Sequence, residues 1–130
     1  MLGERLTSVP GSSAYFAGGV IAYSNALKRK PLGVGAMTLA RRGAVSRECA
    51  LEMAEGIRRL AKTSLGLSIT GIAGPGGGSK AKPVGLVYVG LARRQGAGRA
   101  WELRLSGTRE LIRQKAVAQA LRLLLARLRN

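Results

Sequence analysis

Histidine is absent from this chain of 130 residues, and cysteine occurs once, as Cys49. The absence of histidine excludes the common histidine-containing zinc sites and the serine and cysteine triads that use a histidine base. A single cysteine excludes a disulfide within the chain. We therefore expect no metal site, and any catalysis must use a base of another type.

Long apolar runs are also missing. The longest nearly continuous run is Val84–Ala92, nine residues, about half of what a membrane-spanning helix requires. Glu4 and Arg5 fall where the apolar part of a secretory signal would have to begin. These features predict a cytoplasmic protein that has no membrane partner.

Acidic residues are few, since six Asp and Glu stand against 22 Lys and Arg, for a net charge of +16. Such a field attracts phosphate, so nucleic acid is one candidate partner, and a generally basic surface without that role is the alternative. From Arg93 onward ten basic and two acidic residues contribute +8, and the rest of the chain carries the other +8. The few aromatic residues form no dense cluster with arginine. Any nucleic-acid binding is therefore expected to be non-specific.

The length and a hydrophobic content of 46% predict one domain with one core. The element order helix, strand, helix, helix, strand, strand, strand, helix indicates an α/β layered domain with a mixed β-sheet flanked by helices. The helix that follows Ser46 should bury one stripe of side chains, Cys49, Met53, Ile57 and Leu60. The helix that follows Thr108 should bury another, Val117, Leu121, Leu124 and Leu128. The predicted elements are helix Leu2–Leu6, strand Tyr15–Tyr23, a short helix capped by Ser24 or Asn25 and stopped by Pro31, a short helix around Met37–Arg41, a helix capped by Ser46, strands Leu65–Thr70, Val84–Ala92 and Arg99–Ser106, and a terminal helix capped by Thr108.

The segment Thr70–Ser79 carries a strand directly into a loop with five glycines between Gly71 and Gly78. Glycines let backbone N–H groups approach an anion without obstruction, which favours a ligand site over a plain surface loop. The glycine spacing matches neither the Walker A motif nor Gly-x-Gly-x-x-Gly. We therefore expect no nucleotide triphosphatase site and no dinucleotide cofactor.

Lys28 lies one turn into the short helix that follows Tyr23. Helical side chains lean toward the N-terminus, so the Lys28 ammonium can return to the level of Tyr23, and the two residues can share a site. The positive end of the helix favours an uncharged amine, which can act as a general base. The alternative is that Lys28, Arg29 and Lys30 form a solvated helix face.

Five blocks in order resemble the C-terminal domain of the CinA family of competence/damage-inducible proteins. They are Val9-Pro-Gly-Ser-Ser13, Gly19-Val-Ile-Ala-Tyr-Ser-Asn25 with Lys28, Gly43-Ala-Val-Ser46, Thr70-Gly-Ile-Ala-Gly-Pro75 and Lys82-Pro-Val-Gly85. The resemblance covers essentially the whole chain as a single domain, 1–130. It implies a metal-independent amidohydrolase of the pyridine nucleotide cycle that converts nicotinamide mononucleotide to the acid and ammonia, with a serine nucleophile activated by a lysine. A homo-oligomer is also expected.

The resemblance makes Lys28 the catalytic lysine and Tyr23 the tyrosine of the site. It makes Ser13, Thr70, Gly71, Ile72, Ala73 and Gly74 substrate-binding residues. The family's nucleophile lies in a Glu-Ser-Cys-Thr-Gly-Gly segment upstream of the block resembling Leu2–Leu6, and that segment is not in this sequence. From the sequence we therefore expect a domain that lacks its first helix and strand and is inactive in this form.

Overall fold

The computed structural model describes residues 1–129. Three helices begin at the capping residues predicted from the sequence. Ser24, Ser46 and Thr108 each accept a hydrogen bond from the backbone N–H three residues on. In chain order the elements are α1 (Leu2–Thr7), a 3-10 turn (Ser12–Ala14), α2 (Asn25–Arg29), α3 (Ala36–Arg41), α4 (Arg47–Ala61), β1 (Leu65–Gly71), β2 (Leu86–Arg93), β3 (Arg99–Arg104) and α5 (Arg109–Leu128).

The three strands form one antiparallel sheet in the order β1-β2-β3. Leu65 pairs with Arg93 and Gly71 with Val87, while Leu86 pairs with Arg104 across the other side of β2. The α/β layered fold is confirmed, and within residues 1–129 the sheet is purely antiparallel rather than mixed. The glycine-rich loop therefore connects two neighbouring strands that run in opposite directions.

One face of the sheet packs against α4 at close range. Gly66 and Gly90 allow this approach, because a Cβ at either position would lie 2.1 or 2.3 Å from an α4 backbone carbonyl oxygen. Ser68, the cross-strand partner of Gly90, donates from its hydroxyl to the Ala50 carbonyl of α4. The absence of side chains on these glycines thus sets the distance between helix and sheet.

The other face of the sheet packs against α5. Val87 from β2 meets Ile112 and Ala116, all three buried, with Ile69 and Leu103 at the margin. A second cluster lies beyond the far side of α4, where Leu32, Val34, Cys49 and Met53 are buried together. The core therefore has two parts, one on each side of the α4 and sheet layers.

The predicted strand Tyr15–Tyr23 is wrong. The segment forms no strand, and Tyr15, Ile21 and Tyr23 are 65%, 80% and 77% exposed. A strand requires a hydrogen-bonded neighbour, and no segment in residues 1–129 pairs with this one. Its apolar, β-rich composition was therefore not sufficient to make it a strand.

Both predicted helix stripes fail at their C-terminal ends. Leu60 is 53% and Leu128 is 62% exposed. In α5 the buried residues are Ile112, Ala116, Val117 and Ala120, since only the first part of the helix lies over the sheet. None of the described helices is both long and apolar enough to cross a lipid bilayer.

Candidate functional site

Lys28 is buried at the end of the short helix α2. Its side chain is 6% exposed, and its Nζ donates a hydrogen bond of 2.9 Å to the Ala22 carbonyl. Ser24 begins the helix by accepting from the Leu27 N–H at 3.1 Å. The lysine therefore folds back to the level of Tyr23, as the spacing predicted. Tyr23 itself is exposed.

Lys28 and Lys82, a residue of the segment before β2, both act electrostatically on one buried thiol, that of Cys49. Burial raises the pKa of the Cys49 thiol, and the positive charges of Lys28 and Lys82 partly oppose that effect. Glu52 is the carboxylate near this thiol, but its two oxygens accept from the Gly35 N–H at 2.8 Å and the Thr38 hydroxyl at 2.6 Å. Within residues 1–129 no carboxylate forms an ion pair with Lys28.

The turn before α4 connects this region to the sheet. The Ser46 hydroxyl donates to the Gly43 carbonyl at 2.9 Å and accepts from the Cys49 N–H at 3.1 Å. The Thr70 hydroxyl, at the end of β1, donates to the Ala44 carbonyl at 2.8 Å. Thr70 is buried, so its hydroxyl hydrogen holds the turn against the strand.

Two backbone hydrogen bonds close the base of the glycine-rich loop, residues 71–85. Ile72 donates to the Leu86 carbonyl at 3.0 Å, and its own carbonyl accepts from the Gly85 N–H at 2.7 Å. Gly71 is exposed, Ile72 and Ala73 are half-buried, and Gly74 is buried. Ala73 packs against the Val87 cluster. Of the substrate-binding residues that the resemblance implies, these four therefore form the last position of β1 and the start of the loop.

Two cations attach this loop to the helices around it, one from outside the loop and one within it. Arg109, the first residue of α5, donates from Nη1 to the Gly74 carbonyl at 2.8 Å. The Lys82 ammonium, near the end of the loop, donates to the Arg42 carbonyl at the end of α3. Arg109 was not among the residues selected from the sequence. The available signal was a cation in the first turn of a helix, where the dipole disfavours positive charge.

Ser13 lies in the 3-10 turn and is exposed, whereas its neighbour Ser12 is buried. No hydrogen bond in the described part of the chain joins Ser13, Tyr23 or Lys28 to the glycine-rich loop. Nor does any group of three His, Cys, Asp or Glu side chains there have the arrangement to hold a metal ion. The 43–46 turn is thus bonded to the end of β1 through Thr70, and Cys49, just after that turn, feels the charges of both Lys28 and the loop residue Lys82.

Fold and site together define a small α/β domain with a glycine-rich loop between the neighbouring strands β1 and β2 and a buried lysine whose ammonium donates to a backbone carbonyl. The sequence of residues 1–128 matches the CinA C-terminal domain family. The chain belongs to the CinA family, whose members carry competence/damage-inducible names.

Relatives and solved structures agree with this assignment. A relative from Desulforudis audaxviator, whose name describes it as competence-damage inducible, is 56% identical over 123 residues, 95% of this chain and 30% of its own length. The crystal structure of the competence/damage inducible protein CihA from Agrobacterium tumefaciens has a TM-score of 0.93 at 44% identity, over 96% of this chain and 76% of that one. The competence damage-inducible protein A from Klebsiella pneumoniae gives 0.94 at 34% identity, over 99% and 80%. The chain therefore spans about 30% of the length of the first curated relative and most of the solved domains.

Proposed function

We propose that this domain is the substrate-binding and base-carrying part of a nicotinamide mononucleotide amidohydrolase. The reaction replaces the amide nitrogen of the carboxamide with a hydroxyl from water and releases ammonia. Lys28 is the general base in this proposal, and the glycine-rich loop binds the substrate. The CinA family assignment supports the proposal, and the setting of Lys28 carries it.

That setting is a buried ammonium with a single carbonyl partner and, within residues 1–129, no carboxylate in an ion pair with it. Removing an ammonium from water costs several kcal/mol unless a charged partner compensates. A lysine retained in such a place at the expense of stability is a candidate for chemistry, because titratable groups in costly environments concentrate at functional sites. Among the described residues, Lys28 is the only lysine that is buried.

In the proposed reaction, the lysine amine removes the proton from a serine hydroxyl, and the oxygen attacks the carboxamide carbon. The C–N bond then breaks, the nitrogen leaves as ammonia after taking up a proton, and water hydrolyses the resulting ester. Two serines near Lys28 are already used as helix caps, Ser24 by the Leu27 N–H and Ser46 by the Cys49 N–H. The nucleophile of this proposal is the serine of the Glu-Ser-Cys-Thr-Gly-Gly segment, which the 130 residues do not contain.

Calorimetric titration with nicotinamide mononucleotide tests the substrate half of the proposal. A Cβ at Gly76 meets nothing within 4 Å, so Gly76→Asp should fold normally while its carboxylate repels the substrate phosphate. Gly3→Asp, in α1, makes the same charge change at a position that is equally open. We expect the affinity to fall at least tenfold in Gly76→Asp and to stay within twofold in Gly3→Asp. Equal affinities in the two variants would remove the loop from the site.

Ammonia release tests the chemical half. The chain joined to the Glu-Ser-Cys-Thr-Gly-Gly segment should release ammonia from nicotinamide mononucleotide, and Lys28→Met in the same protein should reduce the rate by several powers of ten. The chain without that segment is the control, for which we expect no release. A Lys28→Met protein that retains the rate would show that the base is another group.

A further inference from the structure

A groove lined by cations lies on the side of α2 away from the site described above. It consists of two adjoining clefts of about 390 and 300 Å³, which share Lys30 and Gly33. The first lies between α2 and the start of α3 and includes Arg29. The second reaches α4 and includes Arg59. Neither cleft is lined by Lys28 or by residues 71–85.

The three cations of the groove have no carboxylate partners. Within residues 1–129 no side chain forms a hydrogen bond or ion pair with Arg29, Lys30 or Arg59, and no acidic residue lines either cleft. The nearest carboxylates along α4 already have partners. Glu52 accepts from the N–H of Gly35, which lines the first cleft, and from the Thr38 hydroxyl, and Glu55 forms an ion pair with Arg58 at 2.6 Å.

Gly33, which lines both clefts, brings the backbone close to one of these cations. Gly33 has φ +69°, and a Cβ placed there would lie 3.8 Å from Nη2 of Arg59. The Gly33 N–H is already bonded to the Arg29 carbonyl at 2.9 Å. Within residues 1–129 the side chains of Arg29, Lys30 and Arg59, two guanidiniums and one ammonium, keep their N–H groups free to donate.

We propose that this groove binds an anion that carries two or more phosphate groups. Guanidinium groups match phosphate oxygens in bidentate geometry, and a lysine between them adds a third charge. Because Arg29 belongs to one cleft and Arg59 to the other, a ligand with linked phosphates can contact both ends at once. The same chemistry occurs in a condensed phosphate and in the phosphodiester backbone of a nucleic acid.

The test compares two variants of equal charge. Arg29→Gln/Arg59→Gln removes one cation from each cleft. Arg113→Gln/Arg122→Gln removes two exposed cations from α5. Each protein is titrated at fixed ionic strength with tripolyphosphate, with orthophosphate and with a short single-stranded oligonucleotide, because phosphate affinities depend steeply on salt. Circular dichroism checks that both variants are folded.

We expect the wild-type chain to bind tripolyphosphate at least tenfold more tightly than orthophosphate. The groove variant should lose at least tenfold in affinity, and the α5 variant less than twofold. If the groove variant, but not the α5 variant, loses affinity for tripolyphosphate, the ligand of the groove is a condensed phosphate. If it loses affinity for the oligonucleotide alone, the ligand is a phosphodiester backbone. Equal losses in the two variants, or no loss in either, would overturn the proposal, because the affinity would then follow net charge only.

Discussion

Replacement of Lys28 by methionine separates a catalytic lysine from a structural one. Methionine has a similar length and is apolar, so it can occupy the same buried space without a charge. A lysine kept for structure should cost stability when it is removed. A lysine kept for chemistry should cost activity and leave stability unchanged or higher.

The magnitude follows from the contacts of the side chain. The ammonium loses one hydrogen bond, to the Ala22 carbonyl at 2.9 Å, and a bond that involves a charged group contributes about 1.5–3 kcal/mol. Ala22 is only half-buried, so water can replace the lost donor at its carbonyl oxygen. Against this loss stands the desolvation of a 6% exposed ammonium without a carboxylate, which costs several kcal/mol. We expect Lys28→Met to raise the free energy of unfolding by about 1–2 kcal/mol.

Urea unfolding followed by Trp101 fluorescence measures the change. With a urea dependence of about 2 kcal/mol per molar, the midpoint should rise by about 0.5–1 M. Lys115→Met is the matched control, because Lys115 also has one carbonyl partner, Ser106 at 2.7 Å, but is only half-buried. It should change the stability by no more than about 0.5 kcal/mol. A loss of more than about 2 kcal/mol in Lys28→Met would refute the reasoning and make the lysine part of the fold.

Four further predictions concern the fold and its surface. Gly74→Val should destabilise the domain by about 1–3 kcal/mol in urea unfolding, because Gly74 is buried with φ +80°; an unchanged midpoint would contradict this. Gly56→Ala should be more severe, since its Cβ would lie 1.8 Å from a backbone carbonyl oxygen, and soluble protein with a normal thermal transition would be the contrary result. Hydrogen bonding from Arg58 lowers the pKa of Glu55, so its carboxylate stabilises the fold above its ordinary pKa and loses this contribution as the pH falls through the lowered pKa. Glu55→Gln should therefore reduce the stability in urea unfolding more at pH 7 than at pH 3, and an equal reduction at both would contradict this. The exposed apolar segment 15–23 should drive self-association, which sedimentation velocity at two concentrations measures, and a monomer at both would count against it.

The helices were predictable because their signals are local. A capping hydroxyl acts on the N–H three residues later, so Ser24, Ser46 and Thr108 could be identified from sequence alone. The three strands of the sheet could be read from apolar composition and turn residues. The segment 15–23 has the same composition but no hydrogen-bonding neighbour in residues 1–129. Composition indicates that a segment can be a strand, and only the rest of the structure supplies its partner.

In the candidate site, too, contacts between residues close in sequence could be predicted, and contacts between distant residues could not. The return of Lys28 to the Ala22 carbonyl follows from helix geometry over six positions. The contact of Arg109 with the Gly74 carbonyl joins residues 35 positions apart, and that of Lys82 with the Arg42 carbonyl joins residues 40 apart. Neither contact leaves a periodic or motif signal in the sequence. Both depend on how α5 and α3 pack against the loop.

The structure also shows at which glycine of the loop a substitution can test ligand binding. A Cβ would lie 2.7 Å from a Val87 methyl carbon at Gly71, 2.6 Å from a Val84 methyl carbon at Gly74 and 2.8 Å from a backbone nitrogen at Gly78. Gly77 has φ +85°, which a side chain disfavours. Four of the five glycines therefore have a reason in packing or backbone conformation. Gly76 has open space around it and no positive φ, so within this loop it is the position at which a side chain tests ligand binding without first disturbing the fold.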